Sequence, residues 1–564
     1  MPFVLLREFV ALTSIPAAFS KFVCRARERQ LRRYFQRDVC QVIGCQFGCA
    51  KEMALPDSWL SLPVGTQQLA RDSARGVGST AAGQMVLMGL QIGSVMLLAR
   101  ILSPDDFGVY ATLLPLVALM AMMRDFGLQT TIVQQRGLDQ KGVSTYFWLN
   151  FGLCFAGAVI IFFAVPEVAS ALDDSRLASL APATSLAFWV NGLSAIHDAL
   201  LRRNLKFGRV NTIRVAAYVL GVTVAIALGI GGYGPLSLAW QQVAEAVALT
   251  VGTFIACRWV PSLPSRKQRI PAGMRLASAL VIGRIVDYLR QNVDRALIRA
   301  SFSATELGFY DRAYRIMAAP LQQAQGPLMA VALPALSRKR GTDGYVGYFL
   351  AFVRATTTVT FPLAFLGLVF PEEVVRLMLG DAWAQSAPIL RGLSLMSLSW
   401  PLMNLCSINF VVFENTRGLV FWPGVACAAA LLAFSVGLPW GAAGVAIAYG
   451  LAFLVLSPFQ IAAGLRQGGI RPARFWAACA PPIVGIAIST MLALLSMAIL
   501  RAWGTAANLQ GPISIAVWLL TYLAVLFWVF DYHSWVRTFL ITAFPSTSGR
   551  AIDRRFDKQR KPKI

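Results

Sequence analysis

Runs of about 20 mostly apolar residues recur along the chain from residue 82 to residue 530. That is the length a helix needs to cross a hydrocarbon core about 30 Å thick. The runs are too long and too continuously apolar for barrel strands, which alternate apolar and polar residues and cross in about 10. An all-α membrane protein is the fold class that remains. Of 564 residues, 57% are apolar and 14% charged, against ~45–50% and ~25% in an average soluble domain. The composition therefore excludes a soluble enzyme, a disordered tail protein and a fibrous repeat.

Fourteen segments read as spans, near 82–99, 108–123, 146–165, 178–200, 215–232, 235–256, 276–298, 313–333, 346–370, 388–412, 418–438, 441–464, 475–500 and 512–530. The second is short and the seventh carries five charged side chains, so twelve or thirteen spans are the alternatives. The expected organisation is an N-terminal tail over 1–80, a first lobe over 81–256, a basic linker over 257–275, a second lobe over 276–464, two further helices over 465–531 and a basic tail over 532–564.

The net charge of +24 would point to nucleic acid in a soluble protein. Here the placement of the cations gives them another meaning, because Lys and Arg concentrate on cytoplasmic loops. The termini and alternate loops on one side hold 39 Lys and Arg, the opposite loops 6 and the spans 6. Both termini are expected in the cytoplasm. Arg202, Arg203, Lys206, Arg209 and Arg214, with Arg266, Lys267 and Arg269, are the clearest inside markers. Topological anchoring accounts for them, and contact with anionic lipid headgroups is the second role open to them.

No extramembrane region between spans is large enough to fold by itself, since autonomous domains need at least about 50 residues. The longest outside loop, 371–387, offers only Glu372, Glu373, Arg376 and Asp381. The chain carries no Walker loop and no HExxH or GxSxG motif. The expectation is a protein that is not an enzyme and takes no cofactor or metal. Residues 1–80 differ from the rest, with a basic run from Arg25 to Arg37 and four of the nine cysteines, Cys24, Cys40, Cys45 and Cys49. They lack the His or second CxxC pair of a zinc site, and Met53 is an alternative start. Cys154, Cys257, Cys406, Cys427 and Cys479 read as small core residues.

A short repeat organises the spans. LSPDDFGVY, Leu102 to Tyr110, follows the first span, and FSATELGFY, Phe302 to Tyr310, follows the seventh. Ser103, Gly108 and Tyr110 match Ser303, Gly308 and Tyr310 at an offset of 200 without a gap. Two blocks six helices apart have the same orientation, so they read as parallel repeats about an axis along the membrane normal. Transporters built from such halves place the substrate path between them.

With LLARILSPDDFGVYATL, the stretch LLRRNLKFGRV after span four, and LGFYDRAYRI preceded by Asn292 and Asp294, the chain resembles the polysaccharide-transporter (oligosaccharide flippase) family of the MOP superfamily. Within it the chain is similar to rhizobial exopolysaccharide flippases, over about residues 75 to 500. The resemblance implies two six-helix lobes around a central cleft and alternating access. It implies flipping of undecaprenyl-diphosphate-linked oligosaccharides across the bacterial inner membrane for exopolysaccharide, capsule or lipopolysaccharide assembly. The implied partners are that lipid-linked oligosaccharide, membrane lipids, and the polymerase and export components of such a pathway, with no nucleic acid. A drug or lipid II exporter of the same superfamily, or a membrane glycan polymerase, are the alternatives.

The seventh span, LASALVIGRIVDYLRQNVDRALIRA, is the most informative segment. On a helix, Arg284, Asp287, Tyr288, Gln291, Asp294 and Arg295 fall within about 120° of one another, and Arg290 sits at their flank, spaced for ion pairs with Asp287 and Asp294. One such charge at mid-bilayer costs about 2.5–3.5 kcal/mol, so five cannot face lipid. For the implied substrate, Arg284, Arg290 and Arg295 are the expected diphosphate or cleft contacts, because a guanidinium fork binds phosphate bidentately. Asp287 and Asp294 would orient them or carry a coupling ion. A structural ion-pair network between lobes is the other explanation. Glu245 in span six is a lone intramembrane carboxylate and a second ion-coupling candidate. Arg312, Arg315 and Arg354 line the cleft or snorkel, and His197 and Asp198 belong near the membrane interface.

Overall fold

The computed structural model describes residues 66–124, 128–134, 138–262, 288, 291–342, 344–530 and 532, and side chains from 83 onward except 130, 134, 507 and 508. Among the described residues there is no strand. The first block holds α1 (Thr66–Ile101), α2 (Pro104–Thr112), α3 (Leu114–Arg124), α4 (Leu128–Gln134), α5 (Gln140–Ala171), α6 (Ser175–Arg203), α7 (Phe207–Ile230) and α8 (Pro235–Cys257). After them come α9 (291–301), the described part of the seventh span, and α10 (Ala304–Lys339), α11 (Tyr345–Val369), α12 (Pro371–Met378), α13 (Ser386–Val412), α14 (Thr416–Gly437) and α15 (Gly441–Gln467). Last come α16 (Pro472–Ala502) and α17 (Ala507–Ala524).

Nine stretches among the described residues are long and apolar enough to cross a membrane, one of them, Thr416–Gln467, holding both α14 and α15. Helices α6, α8 and α10 stand where the fourth, sixth and eighth spans are expected but fall short of that apolar criterion. Each carries polar groups that a lipid-facing surface would not tolerate: Asp198 in α6, Gln241, Gln242 and Glu245 in α8, and Asp311, Arg312 and Arg315 in α10. Their polarity marks them as interior. The outward faces lie elsewhere. Phe163 on α5, Val420 and Phe421 on α14, Met491 on α16 and Leu520 on α17 are all exposed, which suits hydrocarbon and not water.

The second span is not one short helix. It breaks between Thr112 and Leu114 because Pro115 has no N–H to offer Ala111 and its ring crowds that carbonyl. Small residues set the tightest packing in the second block. A Cβ on Gly450 would stand 2.4 Å from the Gly392 carbonyl oxygen, so α13 and α15 touch backbone to backbone. The five scattered cysteines are all buried and unbridged, as small core residues should be. Residues 371–387, expected as an outside loop, instead fold into α12 and a single 3-10 turn, Asp381–Trp383. Trp383 is fully buried there, donating from Nε1 to the Ala99 carbonyl at 2.9 Å, with Phe107 and Phe309 edge-on to its ring at 5.4 and 6.0 Å.

Candidate functional site

The two copies of the repeat meet each other. Ser103 caps α2 by accepting from the Asp106 N–H at 3.2 Å, and Asp106 accepts in return from the Ser103 N–H at 2.9 Å. Ser303 caps α10 by accepting from the Glu306 N–H at 3.2 Å. One turn in, the glycines let the helices cross at backbone distance. A Cβ on Gly108 would stand 1.6 Å from the Ala304 oxygen, and one on Gly308 would stand 1.9 Å from the Pro104 oxygen. Positions 104 and 304, and 108 and 308, thus exchange partners as a two-fold relation requires. Thr305 Oγ1 donates to Asp105 Oδ1 at 3.1 Å, joining the two residues that lie at the same place in each copy.

Ion pairs flank this seam at the end that the charge count assigns to the outside. Asp174, before α6, accepts from Arg176 at 3.0 Å and from Arg299 at 3.2 Å, and Arg176 also pairs with Asp105. The Arg176 guanidinium hydrogen-bonded to Asp174 holds that carboxyl below its ordinary range, and the two aspartates push Arg176 upward.

Deeper, α9 and α10 carry a compact charge network. Asp311 is fully buried and takes three arginines: Arg295 Nε at 3.2 Å, Arg312 at 2.7 Å and Arg315 Nε at 2.9 Å. Arg295 also donates to the Gln291 carbonyl at 2.9 Å and lies over the Tyr314 ring at 4.6 Å. Asp294, 1% exposed, accepts from the Tyr310 hydroxyl at 2.7 Å and from the Arg295 N–H at 2.8 Å. Arg312 stacks on Phe107 of α2 at 4.2 Å. All three guanidinium groups converge on the one Asp311 carboxylate, and Arg315 is the half-exposed member.

Arg315 opens onto a cavity of about 450 Å³ walled by α1, α7, α8 and α10. Gln91, Tyr218, Gln241, Gln242, Glu245, Gln322 and Gln323 line it with Arg315. Gln242 also lines a neighbouring cavity of about 190 Å³, where Arg124, Thr184 and Asn191 face Tyr110. Arg124 reaches Asn191 Oδ1 at 3.4 Å, and its Nε has no partner.

Of the residues singled out from sequence, Arg295 and Asp294 are brought together in the network, and Glu245 lies across the larger cavity with no hydrogen bond among the described residues. Arg284, Asp287 and Arg290 lie outside the described residues. Tyr288 donates to the Pro115 carbonyl at 2.8 Å, at the break in span two. His197 is wholly buried and stacks on Phe254 at 3.7 Å, while Asp198 pairs with Arg202 and Arg214. Sequence reasoning missed Asp311, the carboxylate at the centre. Only part of the signal was present: an arginine four residues after an aspartate on a helix, Arg315 after Asp311, can reach it.

Against known proteins, a family model described as polysaccharide biosynthesis protein matches residues 97–388. The succinoglycan biosynthesis transport protein ExoT of Rhizobium meliloti (strain 1021) is 25% identical over 360 residues, 63% of this chain and 72% of that protein. The lipopolysaccharide biosynthesis protein WzxC of Escherichia coli (strain K12) is 26% identical over 336 residues, 58% of this chain and 68% of that one. Among solved structures, the lipid II flippase MurJ in an inward closed conformation aligns with a TM-score of 0.64 at 15% identity, over 82% of this chain and 100% of that one. An inward-facing multidrug resistance MATE family transporter of the MOP superfamily aligns at 0.51 and 14%, over 68% and 94%. Those two likenesses speak to the fold.

Proposed function

Because the chain belongs to the polysaccharide biosynthesis protein family, we propose that it moves undecaprenyl-diphosphate-linked oligosaccharide repeat units across the bacterial inner membrane, for exopolysaccharide or lipopolysaccharide assembly. The observation that carries the reading is the family match over residues 97–388, joined to relatives named for succinoglycan transport and lipopolysaccharide biosynthesis. The physical problem suits the fold. A diphosphate dragged through hydrocarbon costs on the order of tens of kcal/mol. A polar cavity between helices, with cations on its wall, removes most of that cost while the lipid tail stays in the bilayer.

In this reading the lobes span 81–256 and 276–464, with 465–531 added outside them, and both termini lie in the cytoplasm. The seam at Gly108 and Gly308 is the closed outer end, so the cavities open inward. Arg284, Arg290 and Arg295 form the cationic set that faces the diphosphate. Arg295 acts through Asp311, which holds Arg312 and Arg315 in place beside it. Asp287, Asp294 and Glu245 orient the cations or carry a coupling ion. Transport rather than glycan polymerisation is supported by the name of one relative, the succinoglycan biosynthesis transport protein ExoT. Export of lipid II or of drugs is the second reading, favoured by the folds of MurJ and the MATE transporter.

The test is to delete the gene, label the lipid-linked sugars and ask which leaflet holds the repeat unit. Intermediates trapped on the cytoplasmic leaflet are expected. Repeat units that reach the outer leaflet normally would overturn the reading, and sensitivity to cationic dyes would move the drug exporter ahead.

A further inference from the structure

The larger cavity has a wall of unusual chemistry. Gln91 from α1, Gln241 and Gln242 from α8, and Gln322 and Gln323 from α10 all face it, with Glu245 between them. Gln241 and Glu245 are spaced i,i+4 and Gln242 and Glu245 i,i+3, so one face of α8 presents all three. Among the described residues none of these five amides, nor the Glu245 carboxylate, makes a side-chain hydrogen bond within the protein. Gln241 is nevertheless 8% exposed. Gln242 and Gln322 are exposed and Gln91 and Gln323 half-buried, so these amides are open to the cavity and present a surface that can hydrogen-bond what occupies it.

The type of partner follows from the groups. An amide offers two N–H donors and a carbonyl acceptor, whereas a carboxylate only accepts. A hydroxyl both donates and accepts, so a polyol can satisfy every member of the set at once. A diphosphate cannot, since it only accepts and Glu245 would repel it. A lipophilic cation would find one carboxylate and the apolar side chains that also line the cavity, Met88, Ile92, Val95 and Met378 among them, but with few donors and acceptors of its own it would leave the amides unpaired. The cavity of about 450 Å³ falls in the ~300–1,000 Å³ range of small-ligand sites. Its cation, Arg315, gives its Nε to Asp311, whereas Glu245 has no ion pair among the described residues and is the one carboxylate on the wall.

We propose that this amide wall recognises the hydroxyls of uncharged sugar units, and that Glu245 selects them over sugars that carry a carboxylate. The inference rests on the transport reading above and names the part of the substrate that this cavity holds. It separates two tasks: cations for the diphosphate, amides and Glu245 for the glycan.

The experiment uses the full-length protein in phospholipid nanodiscs and measures Kd for three probes: undecaprenyl diphosphate alone, the same lipid bearing a neutral hexose disaccharide, and the same with a uronic acid as the second sugar. The wild type is expected to bind the neutral glycolipid about tenfold tighter than the bare carrier. A Gln242→Met, Gln323→Met double variant, close in volume and apolar, should erase that gain and leave affinity for the bare carrier unchanged. Glu245→Gln should bring the acidic glycolipid level with the neutral one. Gln91→Met, on a different helix, should lower the gain by itself if the larger change disturbs folding. An unchanged sugar-dependent gain in both glutamine variants overturns the proposal. So does a wild type that binds carrier and neutral glycolipid equally, which leaves the transport reading standing. A wild type that binds none of the probes overturns the transport reading itself.

Discussion

The two copies of the repeat share a backbone and differ in charge. Each begins with a serine cap, each places a glycine one turn later, and each glycine receives a carbonyl of the other copy. At the same offset of 200, Asp311, Arg312 and Arg315 correspond to Ala111, Thr112 and Pro115, and Asp294 and Arg295 to Ser94 and Val95. The symmetric part is the seam, where the only requirement is that two helices approach at backbone distance. The asymmetric part is the charge network, which among the described residues lies on α9 and α10. Pro115 breaks the first copy's helix just where Arg315 lets the second run on as one helix to Lys339. A symmetric scaffold can therefore close at one end while only one of its halves carries the charge network.

The largest effect that would break this comparison is expected at Asp311. Removing the carboxylate by Asp311→Ala strands three arginines, two of them at least nine-tenths buried. Breaking one side of a buried ion pair costs about 3–5 kcal/mol, so the variant should show a markedly lower thermal midpoint, or no folded monomer, by fluorescence-detected gel filtration. Thr112→Val, at the place equivalent to Arg312, deletes only a hydroxyl that donates to the Gly108 carbonyl at 3.0 Å and should cost about 1 kcal/mol or less. Equal losses in the two variants would mean that the charge network is not what separates the copies.

The next effect should be the same on both sides. Gly108→Val and Gly308→Val each drive a Cβ into a carbonyl oxygen of the opposite copy, at 1.6 and 1.9 Å. Forcing added atoms into a packed contact costs about 1–3 kcal/mol, and backbone has little room to yield, so the upper end is expected. The two thermal midpoints should fall together. If Gly308→Val alone destabilised the protein, the exchange of contacts would not be the symmetry of the seam.

Much of this architecture is readable in the amino-acid order, and for a physical reason. Lipid demands long apolar runs, so the spans show themselves, and the offset-200 match of Ser103, Gly108 and Tyr110 to Ser303, Gly308 and Tyr310 pointed to the seam before any contact was known. The polar stripe of the seventh span led to Asp294 and Arg295. What was not legible is who pairs with whom. Asp311 gains its role because Arg295, on a different helix, folds against it, and no spacing along one helix announces that. Trp383 sits in a stretch that reads as a loop, and its bond to the Ala99 carbonyl joins residues 284 apart. The five glutamines on the cavity wall come from three helices. Each is unremarkable alone, and only packing turns them into one surface.

The smallest effect concerns the rim of the seam, where the two copies again differ. At position 299 an arginine ion-pairs with Asp174, whereas at position 99 the alanine carbonyl accepts from Trp383. Asp174 is held below its ordinary range by Arg176, with Arg299 adding to the pull and burial opposing it. A carboxyl lowered in the folded state contributes stability that is fully present above its unfolded value of about 3.9. That contribution fades as pH falls through the folded-state value. Arg176 is about half exposed, and solvent screening limits such a pair to about 1 kcal/mol or less. Asp174→Asn should therefore lower the thermal midpoint slightly at pH 7, with the gap to wild type closing as pH drops from about 5 toward 3. Trp383→Phe removes a neutral hydrogen bond and part of a fully buried ring, and because neither titrates its deficit should stay level over the same range. A deficit that shrinks with pH for both variants would show that some other carboxylate governs the rim. One that stays level for both would remove Asp174 from it and leave Trp383 as the contact that closes this end.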